Sequence, residues 1–218
     1  MSYGVSSLKW IAAATMMVSA GVAQASVTVY TTESSFMSAV VNAATDTFDD
    51  LLPATGYDGP LARSAGSYTY TASAGPTSPI LYGAGSGGDA WLSTNNATDT
   101  ITFDGFASNV YAAGAFFFNS DIAGSFLQRG AVVVTATDTS GTETKFKIFA
   151  TTSNYFGFVS DTALTSLTVH AVGKNATVWP TVNDLTLAAA VPEPETYMMM
   201  LGGLAALGFM ARRRRRVD

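Results

Sequence analysis

From Val27 to about residue 188 the apolar residues recur at every second position, in short runs separated by clusters of Gly, Asn, Asp and Ser. Successive side chains of an extended chain point to opposite faces, so this period belongs to half-buried strands and not to helices. Val27-Thr28-Val29-Tyr30, Thr100-Ile101-Thr102-Phe103 and Val132-Val133-Val134-Thr135-Ala136-Thr137 alternate most plainly. Further strands are expected at 67–72, 79–82, 90–93, 109–118, 144–149, 155–159, 164–170 and 182–188, all rich in β-branched and aromatic residues. Ten or so short strands with turn signals between them predict an all-β fold, an antiparallel β-sandwich. One stretch breaks the period: Phe36, Met37, Val40 and Val41 fall at helical spacing after Thr32 and Ser34, either of which can cap a helix. This predicts one short N-terminal helix over 32–41, plugging an end of the sandwich. The chain has no repeat of 20–50 residues, which argues against a solenoid or propeller.

The two flanks obey different rules. Lys9, the apolar stretch Trp10 to Val22 and the small-x-small sequence Ala23-Gln24-Ala25 predict a signal peptide over 1–25. Signal peptidase would cut after Ala25 and leave Ser26 as the first mature residue. At the other flank, Pro192, Glu193 and Pro194 precede an apolar run from Tyr197 to Ala211 and then Arg212, Arg213, Arg214, Arg215 and Arg216. A helix over that run is roughly 22 Å long, short of a hydrocarbon core of about 30 Å. Snorkelling arginine stems offset the deficit, and the arginines act as a membrane stop on the cytoplasmic side. The expectation is a C-terminal transmembrane helix beyond an exported domain at 26–190.

That domain is acidic. Setting aside Glu193, Glu195 and Asp218 leaves thirteen carboxylates, against five cations: Arg63, Arg129, Lys145, Lys147 and Lys174. The net charge of −8 excludes reading the arginine run as a nucleic-acid surface, and no nucleic-acid partner is expected. The absence of cysteine excludes disulfides and thiol chemistry.

Pro192-Glu193-Pro194, an apolar segment and an arginine cluster, in that order, resemble the PEP-CTERM sorting signal of Gram-negative bacteria over 191–216. The resemblance implies an exosortase-type membrane protease as partner, transient residence in the membrane, and delivery to the cell surface or the exopolysaccharide matrix. A looser resemblance links Thr47-Phe48-Asp49-Asp50-Leu51 and Val182-Asn183-Asp184-Leu185-Thr186-Leu187 to the first and last strands of jelly-roll domains related to carbohydrate-binding modules. It implies paired terminal strands and a structural calcium held by Asp49, Asp50, Asn183 and Asp184. Hard oxygen ligands suit that ion, while turn-forming Asp and Asn account for the same residues without it.

Other patterns carry less. Gly83-Ala84-Gly85-Ser86-Gly87-Gly88 contains a Gly-x-Gly-x-x-Gly, but Asp89-Ala90-Trp91-Leu92 after it reads as a strand. No helix N-terminus is then supplied for a pyrophosphate, and a hairpin or loop is expected. His170 is the single histidine, and with Leu167 and Val169 facing the core it faces outward. A serine triad would have to recruit it, so a non-catalytic protein is expected, with a cryptic polysaccharide hydrolase as the alternative. Aromatic faces stack on sugar rings, and Trp91, Trp179 and Tyr82 are the candidates for contact with an extracellular polysaccharide. Most other aromatics are expected in the core, with Phe117 opposing Phe116 and Phe118.

Overall fold

The computed structural model describes residues 27–86, 88–174, 177–190, 200–205, 207 and 212. Within 27–190 it is built from β1 (Val27–Tyr30), α1 (Glu33–Ser38), β2 (Val40–Asp46), β3 (Thr55–Asp58), β4 (Leu61–Ala65), β5 (Tyr68–Gly75) and β6 (Ile80–Ser86). There follow β7 (Asp89–Thr94), β8 (Thr100–Asp104), β9 (Ala112–Ser120), β10 (Ala131–Asp138), β11 (Thr142–Ile148), β12 (Tyr155–Ser160), β13 (Leu164–Val172) and β14 (Trp179–Ala190). One sheet runs β1-β12-β9-β14-β7-β6-β3, with β2 also paired to β14; the second runs β11-β10-β13-β8-β5-β4. Every pairing among the described strands is antiparallel.

The alternation places the core. Leu81, Leu92, Phe117, Phe158, Val182, Leu185 and Leu187 of the first sheet meet Tyr70, Ile101, Phe103, Val132, Val134, Leu167 and Val169 of the second, all buried. Each large side chain removed from water here contributes about 1.5–3 kcal/mol. Strand β9 is apolar on both faces, since its outer face is covered as well. Phe117 is fully buried in the main core, while Phe118 on the opposite face is 1% exposed.

The outer cover includes α1. Thr32 caps this helix by accepting from the Ser35 N–H. Phe36 then lies on the outer face of the first sheet in a small second core with Val40, Ala112, Tyr155 and Ala188. Gly157 of β12 and Gly114 of β9 are direct partners, and they leave the hollow in which these rings sit. A Cβ on Gly157 would run into the Phe36 ring, and one on Gly114 into the Tyr155 hydroxyl.

Two expectations change. The helix spans Glu33–Ser38 and covers a sheet face, where 32–41 at an end of the sandwich was expected. Val40 and Val41 belong to β2 because the β14 edge is open to them and pairs Ala190 with Val40 and Ala189 with Val41. The early strand also stops at Asp46, so Phe48 to Leu51 form a turn, with Phe48 at φ +61°.

The signal-cleavage residues Ala23, Ala25 and Ser26, the motif Pro192, Glu193 and Pro194, and Arg213, Arg214, Arg215 and Arg216 lie outside the described residues. Met200 to Ala205, Leu207 and Arg212 are helical and exposed. Among the described residues no helix is long and apolar enough to cross a membrane.

Candidate functional site

The register of β6, β7, β14 and β9 brings the predicted aromatics to one surface. Tyr82 pairs with Ser93, Ser93 with Thr181, and Thr181 with Phe118, giving a row across the outer face of the first sheet. Trp91 lies one step along β7 on that face, opposite Ala84. Trp179 is two residues from Thr181 and therefore on the same side of β14. All three predicted contact residues are half-buried. The Trp91 ring stands edge-on to Phe118, with centroids 4.9 Å apart at 89°. The Trp179 indole donates to the Asn95 carbonyl at 3.2 Å.

A turn from Asp121 to Phe126 lies over this surface. Asp121 Oδ1 accepts from the N–H groups of Ala123 and Ser125, both at 2.9 Å, which is the local preference of an Asp that opens a turn. Gly124 accepts from the Gly85 N–H at 2.9 Å, and Phe126 packs on Phe118 at 5.9 Å. Beneath the turn Thr181 donates to Ser120 Oγ at 2.8 Å and Ser93 to the Pro180 carbonyl at 2.9 Å, so the buried hydroxyls are satisfied. The site is an aromatic surface with a polar floor, partly covered by an ordered turn. Phe126 had no separate signal in the sequence, because its importance comes from a turn that folds back on its own strand.

The four residues implied as calcium ligands are divided. Asp50 turns toward Arg63, whose Nη2 donates to its Oδ1 at 2.6 Å and Nη1 to its Oδ2 at 3.1 Å. That hydrogen bond holds the Asp50 carboxyl below its ordinary range. Asp49 Oδ1 accepts from the Ala90 N–H at 3.1 Å. Asn183 donates through Nδ2 to Asp89 at 3.0 Å, and its own Oδ1 accepts from the Asp184 N–H. Asp184 sits at a bulge in β14 with φ +54°. Burial, and then the charges of Asp89 and Asp49, push its carboxyl above the usual value. Asp49, Asp89 and Asp184 thus share one corner, and Asp50 does not join them. Among the described residues no three acidic or histidine side chains converge as a metal cage would need.

Asp50 instead belongs to an inter-sheet clamp. Arg63 of β4 donates Nε to Asp46 Oδ2 and Nη2 to Asp46 Oδ1, both at 2.7 Å. Tyr70 donates its hydroxyl to Asp46 Oδ2 at 2.6 Å, and the Phe48 N–H reaches Oδ1 at 3.1 Å. The guanidinium carbon lies 5.1 Å from the centre of the Phe48 ring. Burial opposes the Arg63 charge, yet the bonds from both carboxylates keep it ionised. Burial and the Asp46 charge raise the Tyr70 hydroxyl and keep it a donor. Once 61–65 is known to be a strand the clamp follows: Leu61, Arg63 and Ala65 share its inward face, and an inward arginine needs a carboxylate.

Ser86 and His170 are carried on different sheets, with His170 opposite Val133 on the outer face of the second. Ser86 ends β6, and β7 begins at Asp89, so the glycine-rich stretch is a hairpin rather than a phosphate loop.

Residues 190–216 match the PEP-CTERM protein-sorting motif. No curated protein and no solved structure gives a match to the chain. The chain therefore carries a PEP-CTERM sorting motif next to an all-β domain, which implies an exported, exosortase-sorted protein of the cell surface or extracellular space.

Proposed function

We propose that the sorted protein is a non-catalytic component of the extracellular matrix that binds polysaccharide through the outer face of its first sheet. The observation that carries this reading is the placement of Tyr82, Trp91 and Trp179 on one face of three neighbouring strands of that sheet, with Trp91 and Trp179 on either side of the Tyr82–Ser93–Thr181 row. Flat, half-exposed rings held by a packed floor offer sugars a stacking surface already in place before binding. We read the sandwich as jelly-roll-like, because the chain passes from β8 to β9, from β9 to β10, from β11 to β12, and from β12 through β13 to β14 by crossing between sheets. The pairing of β2 with β14 agrees with that class. A hydrolase is the alternative, and Asp184 with its raised carboxyl beside two further carboxylates is where its acid and base would lie.

Calorimetric titration of the full-length protein in mild detergent with the host's exopolysaccharide tests the reading. Binding that weakens about ten-fold in Trp179→Ala and in Tyr82→Ala, with both variants still folded at the assay temperature, is expected; that corresponds to roughly 1.4 kcal/mol. Shortening of the polymer during incubation would replace the binding role with the hydrolase. Absence of binding would leave a purely structural matrix protein.

A further inference from the structure

The molecule has two of its five domain cations in one place that the aromatic surface does not use. At the end of the sandwich where β9 and β13 finish and β10 and β14 begin, Arg129, Gly130, Lys174 and Thr177 line an open cleft of about 360 Å³. Among the described residues neither Arg129 nor Lys174 is in an ion pair, whereas Arg63 and Lys145 both are. In a domain of net charge −8, two uncompensated cations facing one cleft form an attractive site for a single anionic group.

The cleft is firmly built. Asn119 is 1% exposed and donates Nδ2 to the Arg129 carbonyl at 2.7 Å, while its Oδ1 is buried without a partner. The Leu127 N–H bonds the Asn119 carbonyl at 2.9 Å and the Arg129 N–H the Leu127 carbonyl at 2.8 Å. Thr177 donates to the Lys174 carbonyl at 3.0 Å. The Gly130 carbonyl accepts from the N–H of Phe149 at 2.8 Å, and Phe149 is a bulky residue held at φ +52° yet 58% exposed. A left-handed backbone is unfavourable for a phenylalanine, and such strain gathers at ligand sites. Trp179 begins the strand two residues beyond Thr177.

We propose that this cleft is an anion subsite for the carboxylate of an acidic glycan, with Arg129 and Lys174 supplying the charge. It rests on the polysaccharide reading above and names the class of polysaccharide: one bearing uronic acids. The aromatic neighbours, Phe149 tied to the cleft wall and Trp179 on the adjoining strand, suit a sugar ring next to that carboxylate. A nucleic acid is disfavoured, because tight binding to its backbone draws on about 6–10 phosphate contacts and the rest of the domain repels them.

The test is calorimetric titration of the full-length protein in mild detergent with an oligogalacturonate, a neutral gluco-oligosaccharide of equal length and oligothymidylate. The oligogalacturonate should bind at least about ten-fold more tightly than the neutral sugar, the worth of one charge-assisted hydrogen bond. Arg129→Gln and Lys174→Gln should each remove about that factor for the uronate and leave the neutral sugar and the melting temperature unchanged. Lys145→Gln should have no effect on either. Equal affinity for the two sugars, or equal loss in Lys145→Gln, overturns the subsite while leaving the polysaccharide reading standing. Failure to bind either sugar also overturns the subsite, while the polysaccharide reading is decided separately by the titration with the host's exopolysaccharide. Oligothymidylate binding more tightly than the uronate would assign the cleft to nucleic acid and overturn the proposal.

Discussion

Replacing Arg63 by Met removes the cation from the clamp while keeping most of its aliphatic stem. The side chains of Arg63 and Asp46 are 11% and 6% exposed, so the variant leaves a carboxylate buried with only the Tyr70 hydroxyl and the Phe48 N–H as donors. Stranding one member of a buried pair costs about 3–5 kcal/mol. The second carboxylate adds little, because the Asp50 side chain is 68% exposed and an exposed pair contributes at most about 1 kcal/mol. Loss of the guanidinium over the Phe48 ring adds about 0.5–1 kcal/mol. A total near 5 kcal/mol lowers the melting temperature of a domain this size by about 10–20 °C. Thermal unfolding of the full-length protein, followed by circular dichroism, measures it. In an Asp46→Asn background the same substitution should cost at least about 2 kcal/mol less, since no buried charge is then stranded. A loss under about 1 kcal/mol in the wild-type background, or a cycle additive within about 0.5 kcal/mol, would refute the reasoning.

Gly157→Ala should lower stability by about 1–3 kcal/mol, because its Cβ displaces the Phe36 ring; Phe36→Ala in the same chain should then add less than it does alone. Asp138 accepts from the Ser140 N–H and hydroxyl, the Gly141 N–H and the Ser160 hydroxyl. Although burial works against it, these bonds bring its carboxyl from 3.8 down to about 2. A lowered carboxyl stabilises above its unfolded value, so about 2 kcal/mol should be lost between roughly pH 4 and pH 2, and Asp138→Asn should flatten unfolding curves across that window. Asp184→Asn should raise the melting temperature by roughly 2 °C. It relieves a half-buried charge facing Asp89 and Asp49, and asparagine tolerates the left-handed backbone there; a fall would mean that the acid has a partner worth keeping.

The strands with strict alternation were legible because each has one dry face and one wet face. Strand β2 was not, since Val40-Val41-Asn42-Ala43-Ala44 lacks alternation and follows a true helix without a break. Its strand state is imposed by β14, a partner some 140 residues away in sequence. β3 and β4 were missed for another reason: they are short and bounded by Gly59-Pro60 and Gly66, which read as turns. At the site, the strands carrying Tyr82 and Trp91 were legible, but the adjacency of Tyr82, Trp91 and Trp179 depends on a strand order that local pattern does not encode. The pairing of Asp50 with Arg63 was not legible because an aspartate beside another aspartate reads equally well as a metal ligand or as half of a clamp. Only the position of Arg63 decides between them.

Strand β14 lies inside its sheet, with β9 on one side and β7 then β2 on the other, and it ends at Ala190, where the sorting motif begins. The element that joins these strands is therefore the last of the domain to be synthesised. Until it emerges, β9 has an unpaired edge and β2 has no sheet to join, so the sandwich has no closed intermediate that lacks its final dozen residues. Completion of the fold is thereby timed to the arrival of the sorting motif. A chain cut short before β14 would lose its address and its native structure together.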